Sequence, residues 1–315
     1  MKIVIAGAGA VGGYLGACMA RAGLDVTLVA RGAHLQAMET HGVRVRSPDG
    51  DFEVHPPVTA DVEEAGPADV VVLGVKAPAL TALAPRLAPL LGPGTVVVST
   101  QNGIPWWFTR LERVDPGGVI AAAIDPGHVV GSIVYFAAEI AEPGVIRHVS
   151  GDRVTVGEPD SARSERSDRV AGALRAAGMR VRLTTHLREE IFVKLLGNAA
   201  FNPLSALTGA TLVWMVRDPD VGSIARAIMS EVAAVAAALG LELPISIDQR
   251  MAGAATRAGE HRTSMLQDLD AGRPLELDAI VGAVLELGDR LAVPMPHTRT
   301  VYAATKLRAT LRSLP

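Results

Sequence analysis

The chain opens with MKIVIAGAGAVGG (Met1–Gly13), and the reading of this stretch decides the fold. Its first part, Lys2 to Ala6, is almost wholly apolar, and the remainder is dominated by glycine. A short continuous apolar run closed by glycine reads as a strand buried on both faces, as in a parallel sheet. The glycines then fall as G-x-G-x-x-G across Gly7, Ala8, Gly9, Ala10, Val11 and Gly12. A helix is expected from there to Arg21, and DVTLVA (Asp25–Ala30) supplies a second strand. This order of strand, glycine turn, helix and strand is the context in which the motif signifies dinucleotide binding. Gly7 permits the tight turn, Gly9 lets a pyrophosphate approach the main chain, and Gly12 brings helix and strand close. The anion then meets the unpaired N–H groups and the dipole at the helix start. A purely structural glycine turn is the competing reading. The same glycines argue against taking the charged, apolar start for a secretory signal.

Working outward, the end of the second strand is where the two nicotinamide dinucleotides are told apart. An acidic residue there would accept from the ribose hydroxyls of NAD, but LVARG places Arg31 at that point. A guanidinium binds a 2′-phosphate with paired charged hydrogen bonds, so NADPH is favoured over NADH. An ordinary solvated loop arginine is the alternative. VVVL (Val70–Leu73) and TVVVS (Thr95–Ser99) read as further buried strands. Lys76 and QNG (Gln101–Gly103) follow their ends, and open parallel sheets bind ligands at the carboxyl ends of their strands. Lys76 and Asn102 are therefore cofactor candidates, set against the bland readings of a surface lysine and an Asn-Gly turn.

Between Gly131 and Gly157 short alternating segments such as GVIRHV and RVTVG suggest antiparallel strands. A helix over Arg163 to Gly178 and a strand RVRLTT follow. From Leu187 to Leu314 helical periodicity takes over, as in Ile224 to Leu239 and Ala279 to Leu291. The expected architecture is an α/β N-terminal Rossmann-type dinucleotide-binding domain over 1–184, followed by an all-α C-terminal domain over 185–315 that carries substrate binding and catalysis.

Composition sets the outer bounds. The chain has 315 residues, 49% hydrophobic and 20% charged, enough for two globular domains and unlike a disordered chain. A net charge near -3 and 3% aromatic residues offer neither a basic field nor stacking platforms for nucleic acid. No stretch reads as a membrane span. The single Cys18 fits a reducing cytoplasm. No histidines or cysteines fall at metal-ligand spacing, so no metal is expected.

The second informative stretch is VKLLGNAAFNP (Val193–Pro203), which sets Lys194, Asn198 and Asn202 four residues apart in an apolar run. On a helix they share one face. The chain has only four lysines (Lys2, Lys76, Lys194 and Lys306) among 30 Lys plus Arg, so a lysine kept in an apolar helix invites a reason special to lysine. An ammonium loses its proton at accessible pH when burial lowers its pKa, and a guanidinium does not. The structural alternative is an exposed Glu190–Lys194 pair one turn apart, and Asn202 could simply end the helix before Pro203.

With GAGAVG, QNG, KLLGNAAFNPLSALTG from Lys194 and TSMLQDLDAGRPLELD (Thr263–Asp278) in hand, the chain resembles the ketopantoate reductase (2-dehydropantoate 2-reductase) family over nearly its whole length. The resemblance implies NADPH-dependent reduction of 2-dehydropantoate to pantoate in pantothenate and coenzyme A synthesis. It implies Lys194 as proton donor, with Lys194, Asn198, Asn202 and Ser264 binding the substrate. It implies Lys76, Asn102, Ala138 and Glu276 at the cofactor. Read bottom-up, Ser264 starts a helix where it or Thr263 could simply cap, and Glu276 could simply favour a helix start. The pattern departs at Leu212 and Trp214 and at Trp106 and Trp107, which leaves open another 2-oxo acid or carbonyl as substrate, or a non-catalytic NADPH sensor. An apolar helical domain is compatible with a homodimer.

Overall fold

A computed structural model describes residues 1–257 and 262–312 of the chain. The expected helical run to Leu314 therefore ends outside the described residues. The chain divides into two compact units, residues 1–101 with 118–187, and residues 102–117 with 188–315. The expected cut at 184 gave two contiguous stretches, whereas here the segment after the QNG turn packs with the helical unit.

The first unit is built on a ten-stranded sheet: β1 (Lys2–Ala6), β2 (Asp25–Val29), β3 (Val43–Arg46), β4 (Phe52–Val54), β5 (Val58–Thr59), β6 (Val70–Leu73), β7 (Val96–Ser99), β8 (Val129–Glu142), β9 (Val145–Gly157) and β10 (Arg180–Leu183). Its helices are α1 (Ala10–Arg21), α2 (Gly32–His41), α3 (Val62–Ala65), α4 (Ala77–Leu83), α5 (Val119–Ala123) and α6 (Glu165–Ala176). The central order β5-β2-β1-β6-β7-β8 is parallel throughout, with the direction of winding reversing between β1 and β6. That is the doubly wound arrangement whose ligand crevice lies outside the strand ends at the reversal. The valine runs explain it: Val70–Leu73 and Val96–Ser99 are buried at every position, which only a strand covered on both faces requires.

The alternating segments expected over 131–157 are instead two long strands, β8 with 14 residues and β9 with 13. They form one antiparallel hairpin closed at Pro143-Gly144, where Gly144 has φ +77°. Register shifts at Tyr135/Ala137 and Ala137/Ala138 interrupt the alternation, so the sequence pattern looks like shorter pieces. β3 to β5 have no clear sequence signal because they are two to four residues long, and β3 and β4 also carry exposed charges, as in VRVR.

The second unit is helical: α7 (Leu187–Thr208), α8 (Leu212–Arg217), α9 (Pro219–Ala238), α10 (Ile247–Arg257), α11 (Ser264–Asp270), α12 (Ala283–Arg290) and α13 (Pro296–Arg312). No strand occurs among its described residues. Helix α7 runs on through Pro203 and does not stop at Asn202. An internal proline forfeits a hydrogen bond and costs about 3 kcal/mol. Burial of Phe201, Leu204 and Ala206 on the same turns offsets that cost. By length and composition α9 could cross a membrane, which corrects the expectation that no stretch reaches that limit. Its buried face nevertheless carries Glu231, whose carboxylate accepts from His297 N–H at 2.9 Å, Thr298 N–H at 2.9 Å and Thr298 Oγ1 at 2.6 Å. A carboxylate capping the first turn of α13 marks α9 as a core helix of this unit.

Candidate active site

In the first unit the glycine motif forms the turn from β1 into α1. Gly7 has φ +104°, a region a side chain rarely adopts. A methyl group on Gly12 would strike the Gly7 carbonyl and lie 3.0 Å from Gly74 Cα, so only hydrogen fits. Gly9, the N-cap of α1, has open space above it, with nothing nearer than the Gly74 carbonyl at 3.9 Å. The first turn of α1 holds no acidic residue that would repel an anion. Ala8, Ala10 and Val11 complete the turn, with Ala8 N–H donating to Val29 O at 2.7 Å.

Two contributors to this turn were not read from the sequence. Gly74, just after β6, packs its backbone on Gly7 and Gly12, and a Cβ there would lie 2.8 Å from Gly12 Cα. His34 on α2 holds the Ala8 carbonyl at 3.1 Å through Nε2, while Nδ1 accepts from Gly144 N–H at 2.9 Å. An accepting Nδ1 makes Nε2 the donor, so the ring is neutral, and burial holds its pKa below the usual histidine value. A glycine directly after VVVL was the available signal for Gly74; nothing local marked His34.

Arg31 follows β2 as the N-cap of α2, exposed and with no ion pair among the described residues. Lys76 is exposed at the N-cap of α4, beyond the end of β6. Ala138 lies half-buried in β8 beside the register shift, against the core under α1.

The second unit gathers the lysine site. Lys194 lies in the second turn of α7, half-buried, and its Nζ donates to Asn102 Oδ1 at 2.7 Å. The other end of that amide, Asn102 Nδ2, donates to Glu276 Oε2 at 2.9 Å. One amide thus spans an ammonium and a buried carboxylate, and this donor pattern fixes which way it faces. Removal from water pushes the Lys194 ammonium down to about 8, and the Glu276 charge opposes the shift. Glu190, one turn before Lys194, is 7% exposed and so is not an exposed residue, and the charge that opposes the fall in the Lys194 pKa is that of Glu276.

Backbone geometry holds this arrangement. Gly103 has φ +90° and sits so close to the Ala279 carbonyl that no Cβ fits between them. Ile104 N–H donates to that same carbonyl at 3.0 Å. Residues 278–282 form a π-helical turn ahead of α12, and such turns release carbonyls from the helical ladder and recur at functional sites. Glu276 precedes this turn, and its carbonyl accepts from Ile280 N–H at 3.0 Å, so the main chain caps the helix while the side chain reaches Asn102. Below it Arg113 reaches Asp278 Oδ1 at 3.1 Å, and Tyr302 donates to the same oxygen at 2.5 Å. None of the π-turn, Gly103 packing or Arg113–Asp278–Tyr302 cluster was foreseen, since helix period does not distinguish a π-turn.

Asn198 is half-buried and Asn202 is 6% exposed, both on the α7 stripe with Lys194. Neither makes a side-chain hydrogen bond among the described residues, unlike the amide of Asn102. Ser264 is exposed at the first position of α11, and the cap is Thr263, whose Oγ1 accepts from Leu266 N–H at 3.3 Å. Trp106 and Trp107 are buried, whereas Trp214 is 63% exposed.

The description of ketopantoate reductase PanE/ApbA matches residues 3–161, and that of its C-terminal domain matches residues 186–309. The chain belongs to the ketopantoate reductase family. A 2-dehydropantoate 2-reductase of Mesorhizobium japonicum is 47% identical over 99% of each chain. A crystal structure from Ralstonia solanacearum superposes with a TM-score of 0.94 at 40% identity, covering 100% of this chain and 99% of that one. A D-mandelate dehydrogenase solved with NADH and anilino(oxo)acetate shares the fold at 22% identity and a TM-score of 0.89, each chain covered in full. The α/β dinucleotide-type unit and helical unit are those expected for the family.

Proposed function

We propose that the protein reduces a 2-oxo acid, 2-dehydropantoate in the first instance, with NADPH as hydride source. The observation carrying this reading is the Lys194–Asn102–Glu276 chain, an ammonium of depressed pKa held by an amide that is itself held by a carboxylate. The name of the Mesorhizobium relative supports the choice of substrate. In domain terms, 1–184 takes the dinucleotide and 185–315 the substrate and the chemistry, with Asn102 joining the latter.

The residues present fit a nicotinamide dinucleotide. Gly9 leaves room above the main chain, α1 offers uncompensated N–H groups, and Arg31 is free to meet a 2′-phosphate. Lys76, Asn102, Ala138 and Glu276 complete the proposed cofactor set. When bound, the reduced nicotinamide supplies a hydride to the 2-oxo carbon. Lys194 polarises the carbonyl oxygen, stabilises its developing charge and donates the proton. Asn102 aims the ammonium, and Glu276 keeps enough of it protonated near neutral pH. Asn198, Asn202 and Ser264 are the proposed substrate contacts, and the unpartnered amide of Asn202 is 6% exposed, which a polar ligand would satisfy. A cytoplasmic location and a homodimer belong to the same proposal.

The test is loss of NADPH absorbance with 2-dehydropantoate and a panel of 2-oxo acids, for wild type and Lys194→Ala. Turnover of 2-dehydropantoate that collapses in the variant is expected. Preference for another 2-oxo acid would overturn the substrate, and NADPH binding without any turnover would leave only a dinucleotide-binding protein.

A further inference from the structure

His34 lies half-buried on α2, between two pieces of backbone that are far apart in sequence. On one side the main-chain N–H of Gly144, at the tip of the β8–β9 hairpin, donates to its Nδ1 at 2.9 Å. A backbone N–H can only donate, so Nδ1 offers its lone pair and the proton of the neutral ring sits on Nε2. That proton faces the Ala8 carbonyl, 3.1 Å away on the other side. Burial disfavours the charged ring, so the neutral form that makes both bonds is the one held. The tip is itself fixed, because Gly144 O accepts from Arg44 N–H at 3.0 Å. The hairpin thus chooses the tautomer, and the tautomer holds the carbonyl.

The place of that carbonyl gives the contact a meaning. Ala8 stands between Gly7 and Gly9, where the chain has the most torsional freedom. The Ala8–Gly9 peptide is trans and planar, so its N–H points opposite to its C=O. Holding the carbonyl against α2 therefore sets the direction of the Gly9 N–H, which donates to no group among the described residues. In a G-x-G-x-x-G turn the main chain at the second glycine is what the pyrophosphate approaches. A glycine-flanked peptide left free to rotate would have to be ordered at each encounter, an entropic cost that a pre-set peptide avoids. The neutral ring contributes direction and not charge, unlike Arg31 three residues before it on the chain. The two residues are therefore separable: a 2′-phosphate belongs to NADPH alone, whereas NADPH and NADH share the pyrophosphate.

We propose that His34 is a positioning residue for the dinucleotide: through Nε2 it holds the Ala8 carbonyl and so aims the Gly9 N–H at the pyrophosphate, supporting NADPH and NADH alike. This rests on the dinucleotide-binding reading of the glycine turn, and the test separates the two. Affinities of the full chain for NADPH and for NADH are titrated by cofactor fluorescence, and melting temperatures recorded, for wild type, His34→Phe, His34→Ala and His34→Gln. His34→Phe keeps an aromatic ring and removes both nitrogens; His34→Ala removes the ring and carries the same test if the phenyl ring prevents folding. Each is expected to weaken both dinucleotides by the same factor, about three- to tenfold, the net worth of one hydrogen bond. His34→Gln recovers most of the loss, because its amide brings a donor for the Ala8 carbonyl and an acceptor for the Gly144 N–H. A merely structural part would lower the melting temperatures of His34→Phe and His34→Ala with both affinities as in wild type, and that result would overturn the proposal. So would a loss confined to NADPH, which would trace the effect to Arg31, or a loss that His34→Gln does not recover. Binding of neither dinucleotide by wild type would instead sink the dinucleotide reading, and the proposal with it.

Discussion

The ammonium of Lys194 sits where its charged form is disfavoured, and both its reactivity and its contribution to stability follow from that. On the proposed mechanism the protonated amine is the proton donor, so kcat/KM for the oxo acid should fall as pH rises through about 8 in the free enzyme. A pH–rate profile checks this, and the alkaline limb should vanish in Lys194→Ala, whose rate drops by about 10²- to 10⁴-fold. The same shift has a sign for folding. Between about 8 and 10.5 the unfolded chain holds the proton and the folded chain has released it, so stability rises with pH across that window. Chemical denaturation of wild type and Lys194→Met at both ends of the window should show wild type gaining relative to the variant; a constant difference would mean that the amine is not perturbed. At Arg31 the expectation concerns cofactor choice. Arg31→Ala should weaken NADPH binding by about tenfold and leave NADH binding nearly unchanged, as read by titration of cofactor fluorescence. Lys194 itself was legible from its sequence setting, because an isolated lysine in an apolar, amide-striped helix is chemically odd. Its partner was not, because nothing local to Lys194 points to a residue 92 positions away.

At the scale of elements, the QNG turn and the π-turn at 278–282 act as one fitting. Gly103 can approach the Ala279 carbonyl only because it lacks a side chain and tolerates φ +90°. Gly103→Ala should therefore shift Asn102 away from Lys194, costing about 1–3 kcal/mol in strain. The outcome to measure is a lower melting temperature together with an alkaline pKa in the rate profile that moves from its wild-type position; loss of stability alone would deny the turn its role at the lysine. The strands of the parallel sheet could be read directly, since continuous valine runs have few other uses. The short strands β3, β4 and β5 could not, because their pairing and not their composition makes them strands. Likewise Pro203 reads locally as a helix stop, and only burial of its neighbours carries α7 past it.

For the molecule as a whole, the helical unit is not one continuous stretch of chain. Residues 102–117 supply Asn102 to Lys194, Arg113 to Asp278, and the N–H groups of Glu112 and Arg113 to the Glu286 carboxylate at 2.9 and 3.0 Å. A fragment starting at Arg188 lacks all of these and should melt without a sharp transition by circular dichroism, with a peptide of residues 102–117 sharpening it. A cooperative melt of the fragment alone would show the segment to be dispensable. The sequence by itself determined what depends on neighbours along the chain: the buried strands, the glycine turn into α1, the helical period of the second unit, and a lysine placed on one face with two amides. The tertiary structure alone decided that Asn102 and Glu276 meet that lysine, and that Gly74 and His34 brace the glycine turn. Periodicity and capping act over a few residues, whereas these encounters join segments up to 174 residues apart and are fixed by packing and hydrogen bonding that no local pattern encodes.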